Sequence, residues 1–269
     1  MALFVFGIAA LLGAIALVAV AGLGDGDGAA VGSSPRDNAK RNFAVVGSGP
    51  QAAPLTSEPS PSEPPPTEPR TLPCHAIASV GRPVMLYRKP GGSPLVKVRA
   101  RTEWKSPRVF GVARRKGEWL GVQAAELPNG ELGWLPARAA RLDCTTWSLH
   151  ADLSERKLLV RREGRTVRRL AVAVGRPGND TPTGRFSVTD KLRVTDPGSP
   201  YGCCVLALTG HQVNLPATWT GGDRLAVHAT QDLASIGQAA SLGCLRAGPR
   251  HARWLIETIP LGAPVFVRS

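Results

Sequence analysis

The sequence predicts a mainly β protein: a small barrel, then a larger β unit that carries one helix near the C-terminus. Three observations lead there. From residue 74 onward, short runs rich in Val, Leu, Ile and Trp recur between turn signals. The breaks between them hold turn formers such as Pro90-Gly91-Gly92, Lys116-Gly117 and Pro128-Asn129-Gly130. One late stretch, Pro249 to Ile259, places Ala252, Leu255, Ile256 and Ile259 on one face at helical spacing, with Pro249 in the first turn and Pro260 as the stop.

The chain divides into four parts. Residues 1–24 contain no charged side chain. At about 1.5 Å per residue such a helix crosses a hydrocarbon layer of about 30 Å. The same run ends in Ala19-Val20-Ala21 before Gly22, a pattern suited to signal-peptide cleavage. An uncleaved transmembrane anchor and a cleaved signal both stay open, and either predicts an exported chain, in the cell wall or on the outer face of the cytoplasmic membrane. Residues 25–73 read as a disordered linker. Positions 50–73 hold nine prolines in 24, too few large apolar groups to offset the entropy of ordering, so the segment stays extended.

Residues 74–145 form the predicted barrel. Its strands are Val84–Tyr87, Val109–Val112, Glu118–Val122 and Leu132–Leu135, with Trp119 and Trp134 expected in the core. Residues 146–269 form the larger unit. Strands are expected at Ser148–Leu153, Phe186–Val188, Cys204–Leu208, Arg224–Val227 and Ala263–Val267, and a hairpin turns at Arg162-Glu163-Gly164-Arg165.

Lys and Arg number 33 against 20 Asp and Glu, a formal charge of +13 carried mostly by arginine. This balance excludes an acidic disordered tail. The basic residues cluster at Arg114-Arg115-Lys116 and along Arg161, Arg162, Arg165, Arg168 and Arg169, without interleaved aromatics or a nucleic-acid motif, so no nucleic-acid partner is expected. No metal-ligand spacing stands out, and neither metal nor organic cofactor is expected.

Five cysteines, Cys74, Cys144, Cys203, Cys204 and Cys244, are an odd set for an exported chain. Cys74 and Cys144 flank the barrel, and a bridge between them closes a loop worth about 4 kcal/mol in the chain-entropy picture. Cys203 and Cys204 are adjacent, and both a vicinal bridge and two buried thiols stay open. That leaves Cys244 unpaired. A thiol that serves as nucleophile needs a base, because its ordinary pKa of about 8.5 leaves little thiolate at neutral pH. His228, at the end of the strand Leu225-Ala226-Val227-His228, is the candidate. Gly243 lets the chain turn so that backbone N–H groups face a developing oxyanion.

A wider ordered pattern surrounds that pair: Thr181-Pro182-Thr183-Gly184-Arg185-Phe186, then His228-Ala229-Thr230, then Ser241-Leu242-Gly243-Cys244-Leu245-Arg246, and finally Leu261-Gly262-Ala263-Pro264-Val265. In this order it resembles the L,D-transpeptidase catalytic-domain family. The run EWLGV…NGELGWLPA upstream resembles bacterial SH3-like domains. The resemblance implies a β-sandwich-like catalytic domain at 146–269 behind an SH3-like barrel at 74–145. It implies Cys244 as nucleophile, His228 as general base, the Ala229 carbonyl as its orienting group, and Gly243 and Cys244 N–H groups as oxyanion donors. Ser241 and Arg246 match positions that shape the loop and are candidate substrate contacts. His211 and His251 read first as surface or local hydrogen-bonding groups, with His211 also a candidate to line the substrate cleft. Expected partners are peptidoglycan stem peptides and carbapenem-type inhibitors, and the implied reaction is acyl transfer forming 3→3 crosslinks. Hydrolysis of the same acyl-enzyme, and a non-catalytic wall-binding protein, are the alternatives. The chain departs from the family pattern twice: Ala229 stands where Gly is usual, and Leu242 where a second His is usual.

Overall fold

The computed structural model describes residues 74–269. The expected signal or anchor at 1–24 and the linker at 25–73 lie outside them. Among the described residues no helix is long and apolar enough to cross a membrane.

Seven strands build the first module: β1 (His75–Val80), β2 (Val84–Tyr87), β3 (Pro94–Val98), β4 (Arg108–Lys116), β5 (Trp119–Val122), β6 (Gly133–Pro136) and β7 (Arg141–Thr145). Their order in the sheet is β3-β2-β6-β5-β4-β1-β7. Leu86, Phe110, Leu120 and Leu135, all almost fully buried, fill its core. Of the two tryptophans the sequence placed in the core, one is there. Trp134 is buried and lies across Gly121, where a side chain would meet its ring. Trp119 is half-buried and packs edge-on against Tyr87, 5.4 Å between centroids. Alternation explains this: Leu120 and Val122 take the inward positions of β5, so Trp119 is left at the margin. Cys74 and Cys144 are bridged, with 5.7 Å between Cα atoms, where β1 pairs with β7.

The second unit contains β8 (Trp147–Asp152), β9 (Lys157–Arg162), β10 (Arg165–Ala171), β11 (Val174–Gly175), β12 (Gly184–Arg193), β13 (Cys204–His211), β14 (Arg224–Ala229), β15 (Ala239–Ser241), β16 (Leu245–Ala247), α1 (Pro249–Thr258) and β17 (Pro264–Arg268). Eight of its strands form one sheet in the order β10-β9-β8-β17-β12-β13-β14-β16, and β11 pairs with β15. The β9–β10 turn sits where the sequence placed it, with Glu163 and Gly164 both at positive φ (54° and 76°), the hand that matches strand twist. Helix α1 buries Ala252, Leu255 and Ile256 against β12, β13 and β14. The shared core includes Leu149, Val160, Leu206, Val227 and Leu245. Among the described residues the fold is thus mainly β with one α-helix, as the sequence indicates. Cys203 and Cys204, left open by the sequence, are paired as a vicinal bridge.

The two units pack closely. An added Cβ at Gly111 of β4 would strike Ser187 of β12 and the Gly262 carbonyl. Gln123 accepts a hydrogen bond from the Ser187 hydroxyl (2.9 Å) and donates to the Arg185 carbonyl.

Candidate active site

Two strands place the candidate groups. β14 and β16 run parallel, with Val227 opposite Leu245, His228 opposite Arg246 and Ala229 opposite Ala247. Side chains alternate across a sheet. Leu225, Val227, Ala229, Leu245 and Ala247 therefore enter the main core. Ala226, His228, Cys244 and Arg246 take the other face. Cys244 lies one step before β16, diagonal to His228. With strands about 4.8 Å apart and two residues of offset, their Cα atoms sit about 8 Å apart, a gap two facing side chains can close. His228, Cys244 and Arg246 line one cavity of about 80 Å³ with Tyr201, Trp219 and Arg224.

The Ser241–Arg246 loop is shaped by three residues. Gly243 has φ +118°, open to glycine and strained for other residues. A Cβ there would collide with the Gln212 side-chain amide. That amide donates to the carbonyls of Leu242 (3.1 Å), Asp180 (3.0 Å) and Asn179 (3.2 Å), tying the loop to the 179–180 segment. Ser241 accepts from the Gly243 N–H (3.0 Å) and donates to the Cys244 carbonyl (2.6 Å).

His228 is 5% exposed. Its Nδ1 lies 2.6 Å from the Ala229 carbonyl, which fixes Nδ1 as the donor and leaves Nε2 with the lone pair. Tyr201 packs edge-on against the ring at 5.0 Å. Burial lowers the His228 pKa to about 4, opposed in part by hydrogen bonding to the Ala229 and Tyr201 backbones and reinforced by Arg246. Burial pushes the Cys244 thiol up to about 11, opposed by the Ala226 backbone and Arg246. At neutral pH the pair therefore rests as thiol and neutral imidazole. The Cys244 Sγ lies 3.8 Å from the Arg224 carbonyl.

The structure brings Cys244, His228, Ala229, Gly243, Ser241 and Arg246 together, but not His211. His211 does not line the cavity. Its Nδ1 is 3.0 Å from Asp223 Oδ2 and its Nε2 is 2.7 Å from the Ala125 carbonyl of the first module, so the ring is engaged at the junction instead. Two of the expected roles are narrowed by bonds within the loop. The Gly243 N–H is already bound to Ser241, and the Ser241 side chain is buried and occupied within the loop. Tyr201, Gln212, Trp219 and Arg224 were not singled out from the sequence. The flanking Pro200 and Gly202 marked Tyr201 as a turn aromatic, but nothing local marked Gln212 or Arg224. Among the described residues no cluster of three or more His, Cys, Asp or Glu side chains is arranged to hold a metal.

Residues 147–267 match the family model for the L,D-transpeptidase catalytic domain. This chain carries an L,D-transpeptidase catalytic domain. The YkuD protein of Bacillus licheniformis, named as an L,D-transpeptidase, is 28% identical over 125 residues, covering 46% of this chain and 67% of that protein. L,D-transpeptidase 1 of Mycobacterium tuberculosis is 31% identical over 125 residues, 44% of this chain and 48% of that protein. The chain thus spans about two thirds of the first relative and about half of the second. A solved structure of L,D-transpeptidase 3 from Mycobacterium tuberculosis, in complex with a faropenem-derived adduct, is 19% identical with a TM-score of 0.37, over 51% of this chain and 73% of that one. The matched residues begin directly behind the Cys74–Cys144 bridge, and Cys244 and His228 lie at the far end of the sheet from β10.

Proposed function

We propose that this protein is an exported L,D-transpeptidase of the cell wall, with Cys244 as nucleophile and His228 as general base. The observation that carries the reading is the fixed imidazole. Nδ1–H is held by the Ala229 carbonyl, and Nε2 is left as the lone-pair nitrogen of a ring that shares its cavity with the one free thiol among the described residues.

The resting pair is uncharged, so the proton moves as the bond forms. Nε2 takes the Cys244 proton while the sulfur attacks the carbonyl that joins the L-centre of a diamino acid to a terminal D-alanine of a tetrapeptide stem. The C–N bond breaks, His228 returns the proton to the leaving amine, and D-alanine departs. The side-chain amine of a second stem then attacks the thioester, passes its proton through His228 to the sulfur, and leaves a 3→3 crosslink. The Cys244 N–H is the loop donor assigned to the oxyanion, since the Gly243 N–H is engaged by Ser241. Arg246, with no carboxylate within 4 Å among the described residues, is suited to a substrate carboxylate. The 74–145 module is read as an SH3-like domain, and the stem peptides as the partner.

Incubation with a carbapenem tests this reading. The expected result is a covalent mass increase on the wild-type protein that is absent from Cys244→Ala. Purified tetrapeptide stems should give crosslinked dimer. No adduct and no dimer overturns the proposal, and tripeptide alone in the presence of abundant acceptor amine assigns hydrolysis instead.

A further inference from the structure

The first module reaches the wall of the catalytic cavity. We propose that its turn 102–106 positions the nucleophile through Arg224: Glu103 and Trp104 hold the Arg224 side chain, and Arg224 in turn holds its own carbonyl against the Cys244 thiol. This deepens the proposed function and rests on Cys244 being its nucleophile.

Arg224 opens β14, and its carbonyl is the acceptor 3.8 Å from the Cys244 Sγ. Its side chain is mostly covered and gripped from two sides. From the catalytic unit, Nε donates to the Leu208 carbonyl (2.9 Å), and Nη2 to Thr189 Oγ1 (2.9 Å) and again to Leu208. From the first module, Glu103 accepts from Nη1 at 2.5 Å, and the Trp104 ring lies 5.2 Å from the guanidinium carbon. The guanidinium has no slack in this arrangement, because its donors point in fixed directions.

The turn that supplies Glu103 and Trp104 is itself anchored. Thr102 N–H donates to Ser106 and Lys105 N–H to Thr102, each at 3.0 Å. The Thr102 hydroxyl donates to Asp190 at 2.5 Å, and Asp190 is fully buried in β12. The neighbouring wall residue is tied to the same module. Asp223 binds His211, whose ring reaches the Ala125 carbonyl and whose backbone N–H and C=O both pair with the Asn129 side chain. Two consecutive residues of the cavity wall are thus held by the module that precedes the catalytic domain. Packing alone would not need a cation held at the residue whose carbonyl meets the sulfur.

A half-exposed ion pair contributes little to stability, so the test reads reactivity. A carbonyl that accepts S–H favours the protonated thiol, and it also fixes where the sulfur points. Releasing it has two effects of opposite sign. Glu103→Gln and Trp104→Ala are each expected to slow carbapenem acylation of Cys244 about tenfold through misplacement. In the same proteins the midpoint of Cys244 alkylation by iodoacetamide, followed against pH, moves to lower pH. Glu103→Asp, which keeps the charge, recovers most of both. The alkylation midpoint decides: a shift supports the proposal, and a midpoint unchanged in both variants overturns it. That readout stands even if the carbapenem fails to acylate the wild type, in which case the proposed function falls by itself. Should Trp104→Ala not fold, Glu103→Gln, of unchanged shape, carries the test.

Discussion

The cavity beside Cys244 and the junction between the units each hold a histidine whose pKa burial lowers to about 4. Their surroundings differ in kind. His228 is enclosed, with Nδ1 held by a carbonyl and a free thiol on the same sheet face. His150 is half-buried at the junction, stacked on Phe266 at 4.8 Å, with Nε2 3.0 Å from the Ser148 hydroxyl and with Arg161, His75 and Arg268 adding to the same downward shift. A depressed histidine therefore does not mark an active site by its titration. What sets His228 apart is the free thiol that shares its cavity.

The most direct way to break that comparison is His228→Gln. Acylation of Cys244 by a carbapenem should fall by about 10²–10⁴-fold, the usual worth of a positioned base. His150→Phe, measured beside it, should leave the rate within error of wild type. Equal losses in both would erase the distinction. A smaller loss is expected from Gly243→Ala, because the new Cβ meets the Gln212 amide at a φ that strains other residues. Backbone strain of this sort costs about 1–3 kcal/mol. The variant should melt earlier and acylate more slowly, since the loop moves together with the sulfur; calorimetry and the same mass assay report the two parts.

The smallest effect concerns acid stability. The folded His150 pKa lies below the ordinary 6.5, so folding favours the neutral ring. The stability it contributes is complete above about 6.5 and is lost as pH falls toward about 4. His75 is shifted in the same direction by burial and Arg185, and His228 likewise by its enclosure. His150→Phe should therefore flatten part of the drop in melting temperature across that window, leaving the remainder to the other two rings. A variant whose melting curve follows wild type at every pH in the window would remove His150 from this account.

Much of this was legible one residue at a time. The helix at Pro249–Thr258 could be read because proline starts it and four apolar residues share a face. The β9–β10 turn could be read because glycine and its neighbour accept positive φ. Cys244 and His228 could be singled out as candidates because a cysteine, a histidine and a glycine stand in a recognisable order. Of the strands missed, β3, β7 and β16 lie at sheet edges and β11 and β15 are very short, where alternation is too brief to register; β1, a six-residue strand between β4 and β7, was passed over without that reason. The Trp119 expectation failed because hydrophobic size does not tell which face of a strand a residue occupies. For His211 the hydrogen-bonding reading holds and the cleft alternative does not, but its partners Asp223 and Ala125 could not be named beforehand because they come from distant parts of the chain.

The sequence by itself determined the local chemistry: which residues can turn, which alternate, which thiol lacks a partner next door, and which imidazole can serve it. Those are properties of one or a few neighbouring side chains. Only the tertiary structure decided that Arg224 would present its carbonyl to that thiol, that Gln212 would hold its loop, and that a turn of the preceding module would reach the cavity wall. Such pairings span tens to more than a hundred positions. They exist only after the sheets have packed, because a hydrogen bond depends on distance and angle in space and not on separation along the chain.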